Sequence, residues 1–320
     1  MAQAPDGLPS ESADRLGRKI NLYDWKAANI RASWGLMVAV AVVLAGVAYL
    51  AAQAFDPAAA VFYVGIAVFI AVAQSGAAYW FSDKMALAAS RARPATVSEH
   101  RYLVNVTEAV AIGAGVPTPK IYVIDSPAPN AFATGRNPEN GAIAVTTGLM
   151  TLLDRQELEG VVAHEMAHIK NYDILFTSLL VAMVGALLLL RDLLWRSARY
   201  GGMRGRGGGR RGKGGGGQAV ALALLMVALI LAPLLGMLLR MAVSRRREYL
   251  ADATGAFITR NPEGLASALE KLRDYKGQAL EVSESVQHMF FTNPVKKFNA
   301  QGLFATHPPL EERIDRLRRL

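Results

Sequence analysis

Four stretches of this chain, residues 32–55, 57–82, 174–190 and 219–239, are almost purely apolar, and no other feature restricts its fold so strongly. A helix needs about 20 mostly apolar residues to cross a bilayer, with a working range of about 17–25. The first, second and fourth stretches meet that length comfortably. The third stops at Arg191 and Asp192 and only just qualifies; a long buried or interfacial helix is its other reading. Of the 320 residues, 52% are hydrophobic and 19% charged, so the expectation is a multi-pass membrane protein with its polar segments outside the bilayer.

The first stretch is too long and too far into the chain for a cleaved secretory signal, and a second span follows it closely, so it reads as a retained anchor. Arg15, Arg18, Lys19, Lys26 and Arg31 precede it, which places residues 1–31 on the cytoplasmic side by the positive-inside rule. Residues 32–82 then form two transmembrane helices, and 83–173 return to the cytoplasm. The chain has no cysteine, which removes disulfides and every cysteine-based zinc framework. Any metal must be held by His, Asp or Glu.

The net charge of +9 is concentrated in one place, because residues 191–213 hold eight basic residues and one acid. This segment belongs to a glycine-arginine tract, residues 191–218, whose composition marks a flexible connector. Between two membrane-length segments it suits anionic headgroups better than RNA, and no nucleic-acid partner is expected. If both flanking stretches cross, the tract lies outside the cytoplasm, against the charge rule; a hairpin dipping in from the cytoplasmic side satisfies it. Either way both ends of the pair return to one membrane face.

The remainder predicts a mostly helical α+β domain. Periodicity gives a helix over 98–114, and strands are expected over 120–124, 130–134 and 142–146. Asp154 followed by Glu157 is a capping-box signal for a helix that could run straight into the third apolar stretch. Asn261-Pro262 opens another helix, and a last one starts near residue 309.

The first of these capped helices contains HEMAH, with His164 and His168 one turn apart. Residues four apart share a helix face, their Cβ atoms about 5–6 Å apart, so both imidazoles can reach one ion at about 2.0–2.1 Å. Glu165 is rotated about 100° from His164, beside the metal, where it can take a proton from the attacking water. A catalytic zinc usually has three protein ligands. His100, His288 and His307 are candidates for the third, and a carboxylate from a second helix serves equally well. The stretch SRRREYLADATG offers Glu248 just past the fourth apolar stretch, and antiparallel packing of the third and fourth would bring it to the histidines. Asp252, one turn later, could accept the free N–H of a liganding histidine.

HEMAH paired with EYLAD, the strand motif NAFATG, the C-terminal HPPLEERI and the leading NLYDWKAANIRASWGLM together resemble the HtpX-type membrane zinc endopeptidases. These are relatives of the CAAX prenyl endopeptidase among the zinc peptidases whose third ligand is a glutamate. The resemblance covers most of the chain from about residue 21. It implies a zincin-like catalytic domain split between residues 83–173 and 240–320, one zinc ion per chain on His164, His168 and Glu248, and Glu165 as the catalytic base. It further implies that Asn130, Ala131, Phe132 and Ala133 form an edge strand beside the metal, where an extended peptide can pair, and that His307 and Arg313 stand near the cleft to hold the oxyanion or the substrate backbone. His100 and His288 receive no ligand role.

The expected activity is peptide-bond hydrolysis at the cytoplasmic face of a bacterial-type inner membrane. The resemblance implies polypeptide substrates, among them misfolded membrane proteins, in quality control and stress response. The alternatives are processing of one lipidated substrate and a non-enzymatic membrane adaptor with a vestigial metal site.

Overall fold

The computed structural model describes residues 22–55, 57–183, 245–277, 280, 289–291 and 308–320. Residues 191–218 and 219–239, with His288 and His307, lie outside them. Helix α1 (Leu22–Phe55) begins ten positions before the first apolar stretch, and the 3-10 turn Pro57–Ala59 leads into α2 (Ala60–Ala89). Among the described residues one helix, Pro57–Ala89, is long and apolar enough to cross a membrane, and Asp173–Met183, here α6, is a shorter apolar helix. Leu36 and Met37 of α1, Ala78 of α2, and Leu175, Phe176, Leu179 and Leu180 of α6 share one buried cluster. The start of α6 is thereby docked on the helical hairpin.

Beyond α2 come β1 (Arg93–Pro94), α3 (Val97–Ala114), β2 (Lys120–Ile124), β3 (Ala131–Gly135), β4 (Gly141–Thr146), α4 (Thr147–Leu152) and α5 (Arg155–Lys170). After α6 follow α7 (Arg245–Thr259), α8 (Pro262–Asp274) and α9 (Leu310–Leu317). The architecture is a mostly helical α+β fold with one small sheet. Its strand order is β1-β2-β4-β3, with β2 and β4 parallel and the outer pairs antiparallel. Both faces are covered, which explains why β3 and β4 are buried at every position instead of alternating. Ala131, Ala133, Ile143 and Val145 face α3, α5 and α8 in the main core. Phe132, Ala142 and Ala144 face Ala86 and Leu87 of α2 with Phe290.

Helix α5 is fixed at both ends and along its length. Asp154 accepts from Glu157 N–H while Glu157 accepts from Asp154 N–H, and Lys271 Nζ of α8 lies 2.6 Å from the same Glu157 carboxylate. Two glycines let neighbouring backbones close on it. A Cβ on Gly160 would stand 2.7 Å from Leu265 N of α8, and one on Gly255 of α7 would stand 3.0 Å from His164 N. The α5–α7 crossing therefore falls at the first histidine. The expected continuous run from α5 into the third apolar stretch does not form. Asn171 caps α5, Tyr172 turns the chain with φ at 61°, and α6 restarts at Asp173.

Candidate metal centre

Helices α5 and α7 bring His164, His168 and Glu248 together, with one potential ligand atom from each within 4.8 Å of the others. The two Nε2 atoms are 3.1 Å apart, and each lies 3.7 Å from a Glu248 carboxylate oxygen. Two ligands on one tetrahedral zinc at about 2.0–2.1 Å stand about 3.3–3.4 Å apart, so the spacing fits. The remaining ring nitrogens are committed elsewhere. His164 Nδ1 is 2.9 Å from Asp252 Oδ1, and His168 Nδ1 is 2.9 Å from Asp173 Oδ2. With Nδ1–H donating to a carboxylate, Nε2 keeps its lone pair for an ion. His100 lies apart, in the first turn of α3 beside Glu99.

Arg313 of α9 is fully buried, and its Nε and Nη2 donate to Asp252 at 2.9 and 2.7 Å. Its Nη1 has no hydrogen-bond acceptor among the described residues and stands 3.6 Å from Glu248 Oε2. The guanidinium thus braces the partner of His164 and turns Nη1 towards the Glu248 carboxylate. The cluster joins Glu165, Asp173, Glu248 and Asp252 to Arg313 and Arg247.

Burial pushes the Glu165 carboxyl up to about 7, despite the Ala133 N–H that donates to it. Burial also lowers His164 to about 4, keeping it neutral. At His168 burial is outweighed by the Asp173 hydrogen bond and the Glu248 charge, which raise it to about 9. In the metal-free protein His168 therefore holds a proton where an ion would sit.

The edge strand stands beside this group. Asn130 precedes β3 and is interlocked with Thr146, its N–H donating to Thr146 Oγ1 at 2.8 Å and its carbonyl accepting from Thr146 N–H at 3.0 Å. The outward-facing groups of Ala131 in β3 already have partners: Asn130 Oδ1 holds its N–H at 3.1 Å, and Phe291 N–H donates to its carbonyl at 2.8 Å. Phe132 points to the other face and meets the Phe290 ring at 5.0 Å. The Phe291 ring touches His164 at 4.9 Å and lies under the Arg313 guanidinium at 4.9 Å.

Residues 97–320 match the model of the peptidase family M48, described as Peptidase family M48. The chain belongs to that family. A Protease HtpX homolog of Thermoanaerobacter pseudethanolicus is 42% identical over 299 residues, which span 93% of this chain and 98% of the relative. Another, from Caldanaerobacter subterraneus subsp. tengcongensis, is 44% identical over 307 residues, spanning 94% and 99%. The crystal structure of S. mikatae Ste24p aligns with 92% of this chain and 67% of its own at a TM-score of 0.47 and 20% identity. Membership of this peptidase family makes the chain a metalloendopeptidase, a hydrolase acting on polypeptides, and its metal has a three-residue group ready to receive it.

Asp173 and Phe291 stand against the histidines and are the neighbours that sequence reasoning missed. Asp173 follows HEMAH by five positions, and the only signal for it was an acidic residue within reach of the second histidine across a helix end. Phe291 carries no local signal, since it arrives from a distant part of the chain.

Proposed function

We propose that this M48 peptidase is a membrane-anchored zinc endopeptidase working at the cytoplasmic face and cutting misfolded membrane proteins. The observation that carries the reading is the convergence of His164, His168 and Glu248 with the buried carboxyl of Glu165 beside them. Anchoring is supported by α2, where Phe62 is 66% and Phe69 72% exposed; such a surface suits lipid and is costly in water. The basic residues ahead of α1 favour a cytoplasmic site. The relatives named Protease HtpX homolog support the choice of substrate class through the resemblance in the motifs.

His164, His168 and Glu248 would hold the zinc, whose chemistry when bound is Lewis acidity towards a water and towards the scissile carbonyl. Asp252 and Asp173 keep both imidazoles in the tautomer that presents Nε2. Glu165, raised towards neutrality by burial, takes a proton from the attacking water and passes it to the leaving amine. An extended substrate lies along β3 and takes over the outward groups of Ala131 and Ala133, displacing the Phe291 N–H from the Ala131 carbonyl. The resemblance gives His307 and Arg313 the developing oxyanion, a role whose loss typically costs about 2.7–4 kcal/mol of barrier; Arg313 Nη1 would take it up by turning from Glu248 Oε2, 3.6 Å away.

Glu165→Gln tests the reading. The purified variant is expected to bind zinc as the wild type does and to lose nearly all cleavage of an unfolded model substrate such as casein. Undiminished turnover by that variant overturns the mechanism.

A further inference from the structure

We infer that Asn29, in the part of α1 ahead of the first apolar stretch, is a positioning residue for the metal ligand His168 and acts through Asp173. The inference rests on the metal-site reading above. The Asn29 side chain is buried, at 6% exposure, and comes from a helix with no other role in the site. Its Nδ2 donates to Asp173 Oδ1 at 2.6 Å and to the Asn171 carbonyl at 2.9 Å. The other oxygen of Asp173 meets His168 Nδ1 at 2.9 Å. Both carboxylate oxygens are therefore occupied, one by the helical hairpin and one by the ligand, and this fixes the plane of the carboxylate and with it the imidazole ring.

A second contact places α1 on the same turn. Lys26 Nζ, one helical turn before Asn29, sits 4.4 Å from the Tyr172 ring centroid. The α1 backbone is held at that level by Ser33 Oγ, which donates to the Asn29 carbonyl at 2.9 Å. Asn171, Tyr172 and Asp173 form the break between α5 and α6, and α6 itself packs on α1. Asp173 lies past the end of α5, where besides His168 it also meets the charge of Arg247 on α7. The amide of Asn29 supplies the constraint from 144 positions away, so the geometry of the metal site depends on how the membrane-proximal helix docks.

Partners that orient metal-ligating histidines typically contribute about 10–100-fold in metal affinity. The full-length protein in detergent, with Glu165→Gln introduced to prevent self-cleavage, is titrated with zinc against a chromophoric chelator. Its cobalt-substituted form is read by visible absorption, which reports ligand geometry. Asn29→Ala is expected to weaken zinc about 10–100-fold and to alter the cobalt bands. Asn29→Asp, of equal volume but facing Asp173 with a like charge, is expected to weaken it at least as much; it carries the comparison if the alanine variant does not fold. Adding Asn29→Ala to Asp173→Ala should cost nothing further, because the two act in series. Lys26→Ala releases α1 from Tyr172 without touching Asp173 and should leave zinc affinity within about twofold.

Unchanged affinity and cobalt bands in both Asn29 variants overturn the inference. So does a loss in Lys26→Ala as large as in Asn29→Ala, which would reduce α1 to a docking element. A parent protein that binds no zinc, or binds it equally well with Glu248→Ala, overturns the metal-site reading instead.

Discussion

Removing Arg313 breaks a buried ion pair from one side, and the structure indicates the size of the effect. The side chain is fully buried and Asp252 is 5% exposed at its side chain, so neither charge can turn to water. The two hydrogen bonds, at 2.7 and 2.9 Å, are charge-assisted, and such bonds contribute about 1.5–3 kcal/mol each. Arg313→Ala leaves the Asp252 carboxylate buried with His164 as its one partner among the described residues, and an orphaned buried charge typically costs about 3–5 kcal/mol. Asp252→Ala strands the guanidinium at a similar cost. The double variant loses both charges together and should therefore fall short of the summed single losses by about 2 kcal/mol or more, whereas independent sites add within about 0.3–0.5 kcal/mol. Urea unfolding of the metal-free proteins in detergent, followed by tryptophan fluorescence, measures all four corners of the cycle. Additivity would refute the claim that Arg313 and Asp252 form one energetic unit.

Gly255→Val drives side-chain carbons into the α5 backbone at His164, where even a Cβ would lie 3.0 Å from the nitrogen; overpacking of this kind costs about 1–3 kcal/mol, and zinc affinity, read by chelator competition, should fall with it. At pH 7.5 zinc binding should release about one proton, since His168 is raised to about 9 and must give up its proton to the metal; calorimetry in two buffers of different ionisation enthalpy measures this, and no release contradicts the assignment. The same raised value gives the metal-free protein stability that is present below the ordinary histidine value of 6.5 and lost as pH rises through about 9, a decline that the zinc-loaded protein should not share. Ala133→Pro removes an N–H that lowers the Glu165 carboxyl and that the extended substrate is proposed to take over, so KM should rise as well. The acid limb of its pH–rate profile should move to higher pH while zinc affinity stays within about twofold.

Much of the fold and site is legible in local pattern. The capping box at Asp154 and the helix start at Asn261-Pro262 lie where the signals place them, because capping chemistry is settled by residues three apart. The strands come within one residue of expectation, since short apolar runs between turn residues leave little freedom of register. The two-residue β1 went unseen, as Arg93-Pro94 includes a residue with no N–H to offer a ladder. The start of α1 at Leu22 was missed because hydropathy marks only the apolar part of a helix. The break at Tyr172 escaped notice because a non-glycine residue takes the left-handed turn there. Helical spacing offers the two histidines of HEMAH, the resemblance singles out Glu248, and Asp252 is legible one turn beyond it, but the groups that hold Asp252 and Asp173 in turn come from elsewhere in the chain. Asn29 and Arg313 lie 144 and 149 positions from their contacts with Asp173 and His164, and no window along the sequence spans that distance.

The guanidinium facing Asp252 stands on α9, sixty-one positions further along the chain. A long-range clasp of this kind makes the far helix a condition of order at the HEMAH turn: undocking α9 withdraws the guanidinium and leaves a carboxylate stranded in the interior beside His164.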